Sequence, residues 1–268
     1  MSACSNNKKT KNKSLGIDSC SVLYDQIVND FKNREYVKVI QLPDPYPGCD
    51  SSVVKTILEC KGLACIEIKE FNSAISIFSK LIKINPGDER YYSKRALSYE
   101  NMQMKKEAVA DYDKALKLNP NLLQERNNRG LLNRSLGKFA LAMTDFDYVL
   151  SQDSSYLAAR INKGLVFADE GKHEEAVKEY LKALSIDTSD ILLFNLSISE
   201  AHIGAYKDAL KHINLAIQIN PDVPADCFIN RAYIRMNLKD IQGACEDVRK
   251  VQSMNYIVED PVLLKLCN

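Results

Sequence analysis

A repeat of about 34 residues runs through most of this 268-residue chain and limits what it can fold into. Six segments align on an alanine that is followed, four and then seven residues later, by two further packing residues. The aligned alanines are Ala74, Ala108, Ala142, Ala176, Ala209 and Ala244. Positions i, i+4 and i+7 lie on one face of an α-helix, so each segment predicts a helix with one buried face.

A second helix is predicted upstream in each repeat, because a small residue stands twelve residues before every aligned alanine. These small residues are Gly62, Ala96, Gly130, Gly164, Ser197 and Ala232. A small residue lets two helices approach closely, and a bulky side chain of the following helix then fills the space beside it. Turn sequences separate the two helices, and Asn-Pro or a polar equivalent ends the unit. Each repeat is therefore expected to be a helical hairpin.

This pattern resembles the tetratricopeptide repeat, whose consensus has Gly or Ala, a second-helix Ala, an aromatic residue and Pro at matching positions. The leading Trp of that consensus is missing, because the chain contains no Trp. The resemblance implies an all-α fold, a right-handed superhelical solenoid of antiparallel helix pairs. It covers residues 55–258, which divide into six repeats: 55–88, 89–122, 123–156, 157–189, 190–223 and 225–258.

The two ends are expected to differ from the repeats, since the terminal units of a solenoid must cover an apolar face that would otherwise be exposed. Residues 21–54 keep apolar side chains at the inward positions, and the prolines of 42–48 stop a second helix. We therefore predict a degenerate capping repeat with a proline-rich connection there. Residues 259–268 are expected to form a C-terminal cap, and residues 1–20 a disordered polar and basic tail.

Charge and motif content favour a binding module over an enzyme. The chain has 36 basic and 35 acidic residues, a balance that argues against a nucleic-acid partner. No apolar run in the sequence approaches the roughly 18 residues needed to span a bilayer. The sequence has neither a glycine-rich phosphate loop nor histidines at a metal-binding spacing. We therefore expect no catalytic residues, no cofactor and no metal.

Four asparagines recur at the sixth position of the first helix in consecutive repeats: Asn128, Asn162, Asn195 and Asn230. Asparagine is a mediocre helix former, so this recurrence asks for an explanation. By resemblance, first helices line the concave wall of the solenoid, and the asparagines would form an amide ladder that holds the backbone of an extended peptide. Two alternatives remain: the asparagines are merely tolerated on a solvated helix, or they bond neighbours within the array.

The expected function is a non-catalytic protein–protein interaction scaffold that binds an extended peptide segment or a helix of a partner in this groove. A monomer is expected. Five neighbours of the ladder are candidates for adding specificity: Lys94, Gln124, Asn127, Arg134 and Tyr233.

The N-terminal stretch "MSACSNN" permits a second interpretation. "SAC" resembles the end of a bacterial lipoprotein signal with Cys4 as the lipidated residue, although the apolar stretch of such a signal is missing. The alternative is therefore a membrane-tethered lipoprotein of the periplasm or outer membrane that assists assembly of an envelope complex. Cys60, Cys65 and Cys245 occupy positions at or near the packing face and look like reduced thiols. That favours a cytoplasmic location.

Overall fold

The computed structural model of the chain describes residues 8–44, 49–258, 260–265 and 267, with side chains from Cys20 onward. Within these ranges the protein is all-α, and its fifteen helices are α1 (Lys8–Lys32), α2 (Tyr36–Gln41), α3 (Ser51–Glu67), α4 (Phe71–Ile84), α5 (Glu89–Asn101), α6 (Lys105–Leu118), α7 (Leu123–Ser135), α8 (Phe139–Gln152), α9 (Leu157–Asp169), α10 (His173–Leu184), α11 (Asp190–His202), α12 (Tyr206–Ile219), α13 (Ala225–Asn237), α14 (Ile241–Ser253) and α15 (Pro261–Lys265).

Helices α3 to α14 of the described chain form six consecutive pairs joined by short turns. We call the odd-numbered members, from α3 to α13, the first helices, and the even-numbered members, from α4 to α14, the second helices. Gly137, Gly171 and Gly204 occupy three of the turns within pairs, with φ between 72° and 80°. This left-handed conformation suits glycine, and it ends the first helix so that the chain can reverse. The predicted all-α architecture of paired helices is confirmed.

The closest contact within a pair joins a small residue of the first helix to a ring of the second. A Cβ atom added to Gly164 would lie 2.4 Å from Cε1 of Tyr180, and one added to Gly62 would lie 2.9 Å from Cζ of Phe78. Both rings are fully buried. Because packed atoms cannot approach so closely, a side chain added at either position would force the ring to shift. The predicted packing of a small residue against a bulky one is confirmed here.

The chain divides into two compact units, the first ending at Leu132 and the second beginning at Asn133. In the first unit, buried residues of α1, α2 and α3 form one apolar cluster around Ile27 and Ile57. In the second unit, the largest cluster runs from α11 to α15 and includes Leu263 of the last helix. Each end of the chain therefore packs on the repeats of its own unit.

The N-terminal region differs from the expected boundaries. Helix α1 begins at Lys8, inside the segment 1–20 that was expected to be a disordered tail. The residues from Lys8 to Leu15 include no Pro or Gly, and the helix continues through Gly16. Helix α3 begins at Ser51, ahead of the predicted repeat boundary at residue 55. The side chain of Asp50 caps it by accepting a hydrogen bond from the Ser52 N–H at 2.8 Å. Cys4 lies outside the described residues.

Among the described residues, four cysteines form two disulfides, Cys20–Cys49 and Cys245–Cys267. The expectation that Cys245 is a reduced thiol is therefore wrong. Its partner is 22 residues away, on the far side of α15, and a pairing of this kind depends on tertiary contacts that the repeat pattern does not contain. In the part of the chain that the structure describes, none of the helices is both long and apolar enough to cross a membrane.

Candidate peptide-binding site

The four predicted asparagines lie on four consecutive first helices: Asn128 on α7, Asn162 on α9, Asn195 on α11 and Asn230 on α13. Asn128 belongs to the first unit and the other three belong to the second. All four side chains are half-buried. Part of each residue is therefore open to solvent, while the rest contacts the protein.

Two of these amides already bind a neighbouring helix. Nδ2 of Asn128 donates to Oη of Tyr112 on α6 at 3.4 Å, and Nδ2 of Asn230 donates to Oγ of Ser197 on α11 at 2.8 Å. Asn162 also has an interaction partner within the protein. Asn128 and Asn230 therefore fit the alternative in which an asparagine forms a hydrogen bond to a neighbouring helix of the array. A primary amide has two N–H groups and a carbonyl oxygen, so one internal hydrogen bond does not exhaust it.

The remaining predicted residues fall into three groups. Lys94 on α5 and Gln124 on α7 are exposed. Asn127 is only 7% exposed, which contradicts its expected place on an open groove wall. Arg134 is held by Asp169 through two hydrogen bonds, Nε to Oδ2 at 2.6 Å and Nη2 to Oδ1 at 3.1 Å. This two-point pairing joins the last turn of α7 to the end of α9 within the second unit, so Arg134 serves the packing of that unit.

Two cavities of the second unit share the side chain of Tyr233. One, of about 330 Å³, lies among α11, α12 and α13 and is lined in part by Ile198 and Asn230. The other, of about 430 Å³, lies between α13 and the segment after α14, with Ile257 and Leu263 in its wall. Apolar walls with a few polar groups are typical of surfaces that accept ligand side chains. Two of the predicted residues, Asn230 and Tyr233, thus meet at one surface.

The larger cavity carries a negative charge at its rim. The phenol of Tyr233 donates a hydrogen bond to Oδ2 of Asp260. Burial and the nearby Asp260 carboxylate raise the pKa of Tyr233 to about 12. The bond from Tyr233 and the backbone N–H of Val262 hold the pKa of the Asp260 carboxyl below its usual value. Asp260 is therefore ionised at neutral pH and can attract a cationic group. No sequence pattern marks Asp260 as a site residue, because only the folding of the last segment brings it to Tyr233.

Buried ion pairs also recur between the two helices of a pair. Arg95 of α5 binds Asp111 of α6, with Nε to Oδ2 at 2.7 Å, and Arg231 of α13 binds Asp247 of α14, with Nη2 to Oδ1 at 2.5 Å. Both aspartates are buried and stand three residues after the alanine of their repeat. An acidic residue stands three residues after four of the six aligned alanines, and this recurrence is the sequence signal that could have revealed these pairs.

One buried acid–histidine pair bears on the question of catalysis. Nδ1 of His212 lies 2.8 Å from Oε2 of Glu200, between α12 and α11. A comparable bond joins the first and second helices of another pair, where Oη of Tyr112 donates to Oε2 of Glu100 at 3.1 Å. Helix packing therefore accounts for the pair, since a buried polar group needs a partner.

Comparison with known protein families agrees with this architecture. Two family models, both described as tetratricopeptide repeat, match the chain over residues 90–122 and 127–191. These segments span repeats in the middle of the predicted array. No curated protein sequence matches the chain at a significant level.

Solved tetratricopeptide repeat proteins resemble the chain in structure. A protein from Parabacteroides merdae has a TM-score of 0.69 at 18% identity, over 93% of this chain and 98% of that chain. PilF from Pseudomonas aeruginosa has a TM-score of 0.65 at 18% identity, over 75% of this chain and 91% of that chain. YrrB, described as a TPR protein with an unusual peptide-binding site, has a TM-score of 0.54 at 20% identity. The match covers 62% of this chain and 86% of that chain.

Identities of this size establish a shared fold and leave ligands and partners open. The family models, the paired helices and the packing of small residues against rings all lead to the same assignment. The chain contains tetratricopeptide repeats, which the family models match over residues 90–122 and 127–191, and its paired helices have the fold of tetratricopeptide repeat proteins.

Proposed function

We propose that this protein is a non-catalytic scaffold that binds an extended peptide segment or a helix of a partner protein on its first helices. The tetratricopeptide fold is generally a scaffold for protein–protein interaction. The observation that carries the proposal is the pair of cavities that share Tyr233, where apolar walls adjoin the Asn230 amide and the Asp260 carboxylate. The similarity in fold to YrrB, a protein with an unusual peptide-binding site, supports it.

Asn162, Asn195 and Asn230 of the second unit are the proposed contacts to the partner's backbone. The internal bond of Asn230 to Ser197 orients its amide before a ligand arrives, which lowers the entropy lost on binding. In the first unit, Asn128 with the exposed Lys94 and Gln124 is the corresponding candidate. The buried Asn127 and the paired Arg134 are left out of the proposed contact surface.

The chemistry of the two cavities defines the kind of segment that would fit. Apolar side chains would fill the spaces on either side of Tyr233, since burying apolar surface provides most of the affinity. A Lys or Arg near the larger cavity would pair with Asp260 and fix the direction of the segment. We propose a protein partner of this kind, with no nucleic-acid partner because the chain is nearly neutral, and a monomeric scaffold.

The alternative of a membrane-tethered lipoprotein depends on Cys4. Mass spectrometry of the native N-terminus tests it. A lipidated Cys4 at the start of the mature chain would support this alternative, and an unmodified Met1 or Ser2 would reject it.

Selection from a random peptide library tests the binding proposal directly. Peptides enriched on the wild-type protein are synthesised, and their Kd is measured by fluorescence anisotropy against each variant. We expect Tyr233→Ala and Asn230→Ala each to weaken binding about tenfold or more, because both residues line the cavities. Asn72→Ala, an exposed asparagine of α4 in the first unit, is the matched control and should leave Kd unchanged.

Circular dichroism must show the same helix content in all variants before their affinities are compared. The site would be rejected if no peptide were enriched above background. It would also be rejected if enriched peptides bound both cavity variants as tightly as wild type.

A further inference from the structure

The cysteines of this chain are divided by position into paired and unpaired groups. In the described residues, Cys20–Cys49 lies near the N-terminus and Cys245–Cys267 near the C-terminus. Among the described residues, the free thiols lie between the two disulfides in sequence: Cys60, Cys65 and Cys227. We propose that the two terminal cysteine pairs are permanent structural disulfides, and that the protein folds and functions in an oxidising compartment. This proposal is independent of the peptide-binding site.

The geometry separates the two groups. The Cα atoms are 5.8 Å apart in Cys20–Cys49 and 5.1 Å apart in Cys245–Cys267, within the range of about 4.4–6.8 Å that a disulfide spans. Cys60 and Cys65 both lie on α3, where five residues correspond to a rise of about 7.5 Å and to different helix faces. A helix holds two such thiols apart, so they cannot pair with each other.

The free thiols are also chemically protected. Burial raises the pKa of Cys60 and Cys65, and it raises that of Cys227 to about 11. The thiolate is the form that reacts with oxidants and disulfides. The free thiols are therefore poor partners for thiol–disulfide exchange.

The N-terminal disulfide closes a segment that contains a very short helix. Cys20 lies on α1 and Cys49 precedes Asp50, the N-cap of α3. Between them the chain contains the rest of α1, then α2, which has only six residues, and the proline-rich connection. A helix of that length is not stable alone. The disulfide ties both ends of the segment to the cluster formed by α1, α2 and α3.

The C-terminal disulfide does the same for the last helix. Helix α15 has five residues, and Leu263 is its one buried side chain among those described. Cys267, just after this helix, is joined to Cys245 in the second turn of α14. A five-residue helix with one buried side chain makes few contacts, so the covalent link holds it to α14.

Disulfide formation requires an oxidant, which the compartment must provide. Two thiols lose two protons and two electrons to form each disulfide, and a disulfide of the oxidant is reduced to two thiols in exchange. A thiol–disulfide oxidoreductase or a small-molecule disulfide supplies this oxidant in exported environments. In a reducing cytosol, the thiol pool would return both pairs to thiols.

Differential alkylation of the full-length protein isolated from its source cells tests the pairing. Free thiols are labelled with one maleimide under denaturing, non-reducing conditions, and those released by reduction are labelled with a second. We expect the first label on Cys60, Cys65 and Cys227, and the second on the four cysteines of the terminal pairs. The first label on all of these cysteines would overturn the proposal, and so would a disulfide that includes Cys60, Cys65 or Cys227.

Thermal unfolding with and without reductant tests whether the disulfides close the ends. We expect reductant to lower the Tm of the wild type by about 5 °C or more, or to add an earlier unfolding phase. The double variant Cys245→Ser/Cys267→Ser should show a smaller response to reductant, whereas Cys60→Ser should respond like wild type. An identical wild-type melting curve in both conditions would overturn the structural role. If the double variant does not fold, the alkylation pattern still decides the proposal.

Discussion

A middle repeat and the ends of the chain are stabilised in different ways. In the pair α9 and α10, Gly164 packs directly on the ring of Tyr180, and further repeats of the same unit pack on both sides. The end segments contain the short helices α2 and α15, and each is closed by a disulfide. Non-covalent packing therefore holds the long helices of the middle repeats, whereas the short helices α2 and α15 are also held by covalent links.

Overpacking the middle repeat should have the largest effect. In Gly164→Leu, even the Cβ atom would lie 2.4 Å from Tyr180 Cε1, so the helices must separate. We expect a loss of about 3 kcal/mol or more in the free energy of unfolding, measured by urea denaturation. Gly87→Ala is the matched control, because its Cβ would meet only Asn85 Oδ1 at 3.7 Å. Equal midpoints for Gly164→Leu and wild type would show that the helix register described here is wrong.

Breaking a buried ion pair should have the next largest effect. Arg231→Ala leaves the buried Asp247 with only Arg235 as a cationic partner. We expect a loss of about 2–4 kcal/mol in the free energy of unfolding, because a buried charge is then poorly compensated. Lys172→Ala removes an exposed pair with Glu170 and should cost about 0–1 kcal/mol. If both variants unfolded at the same urea concentration, the buried pair would contribute no more to stability than the exposed pair.

Reduction should affect the ends more than the middle. We expect amide hydrogen exchange to accelerate in α2 and α15 when the disulfides are reduced, and to stay unchanged in α9 and α10. Mass spectrometry of peptic fragments with and without reductant gives this comparison directly. Uniform acceleration along the chain would mean that the disulfides stabilise the whole fold rather than its ends.

The smallest effect is expected from pH at the C-terminal end. The pKa of Asp260 is lowered in the folded protein, so its bond with Tyr233 contributes stability above the ordinary pKa of about 4, and that stability is lost as pH falls through the lowered value. The pKa of Tyr233 is raised to about 12, so its contribution is complete below about pH 10 and is lost as pH rises through 12.

Exchange of amides near Val262 should therefore accelerate slightly at both extremes of pH. Tyr233→Phe should remove most of this dependence. Tyr256→Phe, at a half-exposed tyrosine of the same segment, is the control that should keep it. If Tyr233→Phe retained the full pH dependence, the bond to Asp260 would not be its source.

The paired helices and the contact of small residues with rings could be predicted because both depend on residue spacing within one repeat. The pairing of Gly164 with Tyr180 spans sixteen residues and recurs at the same separation for Gly62 and Phe78. The asparagines also recur regularly, but spacing alone could not distinguish a ligand contact from the internal bond that Asn230 makes with Ser197. That distinction depends on which groups the neighbouring helix presents.

By itself, the amino-acid sequence determined the repeat, the two helices of each unit and the faces that they bury, since helical periodicity converts spacing into a surface. Only the tertiary structure decided the cysteine partners, the meeting of Tyr233 with Asp260 and the burial of Asn127. These features lie at the ends or between helices, where contacts join residues outside the periodic pattern. Which of these residues meet is set by how the chain folds outside the repeat, so the repeat pattern does not predict it.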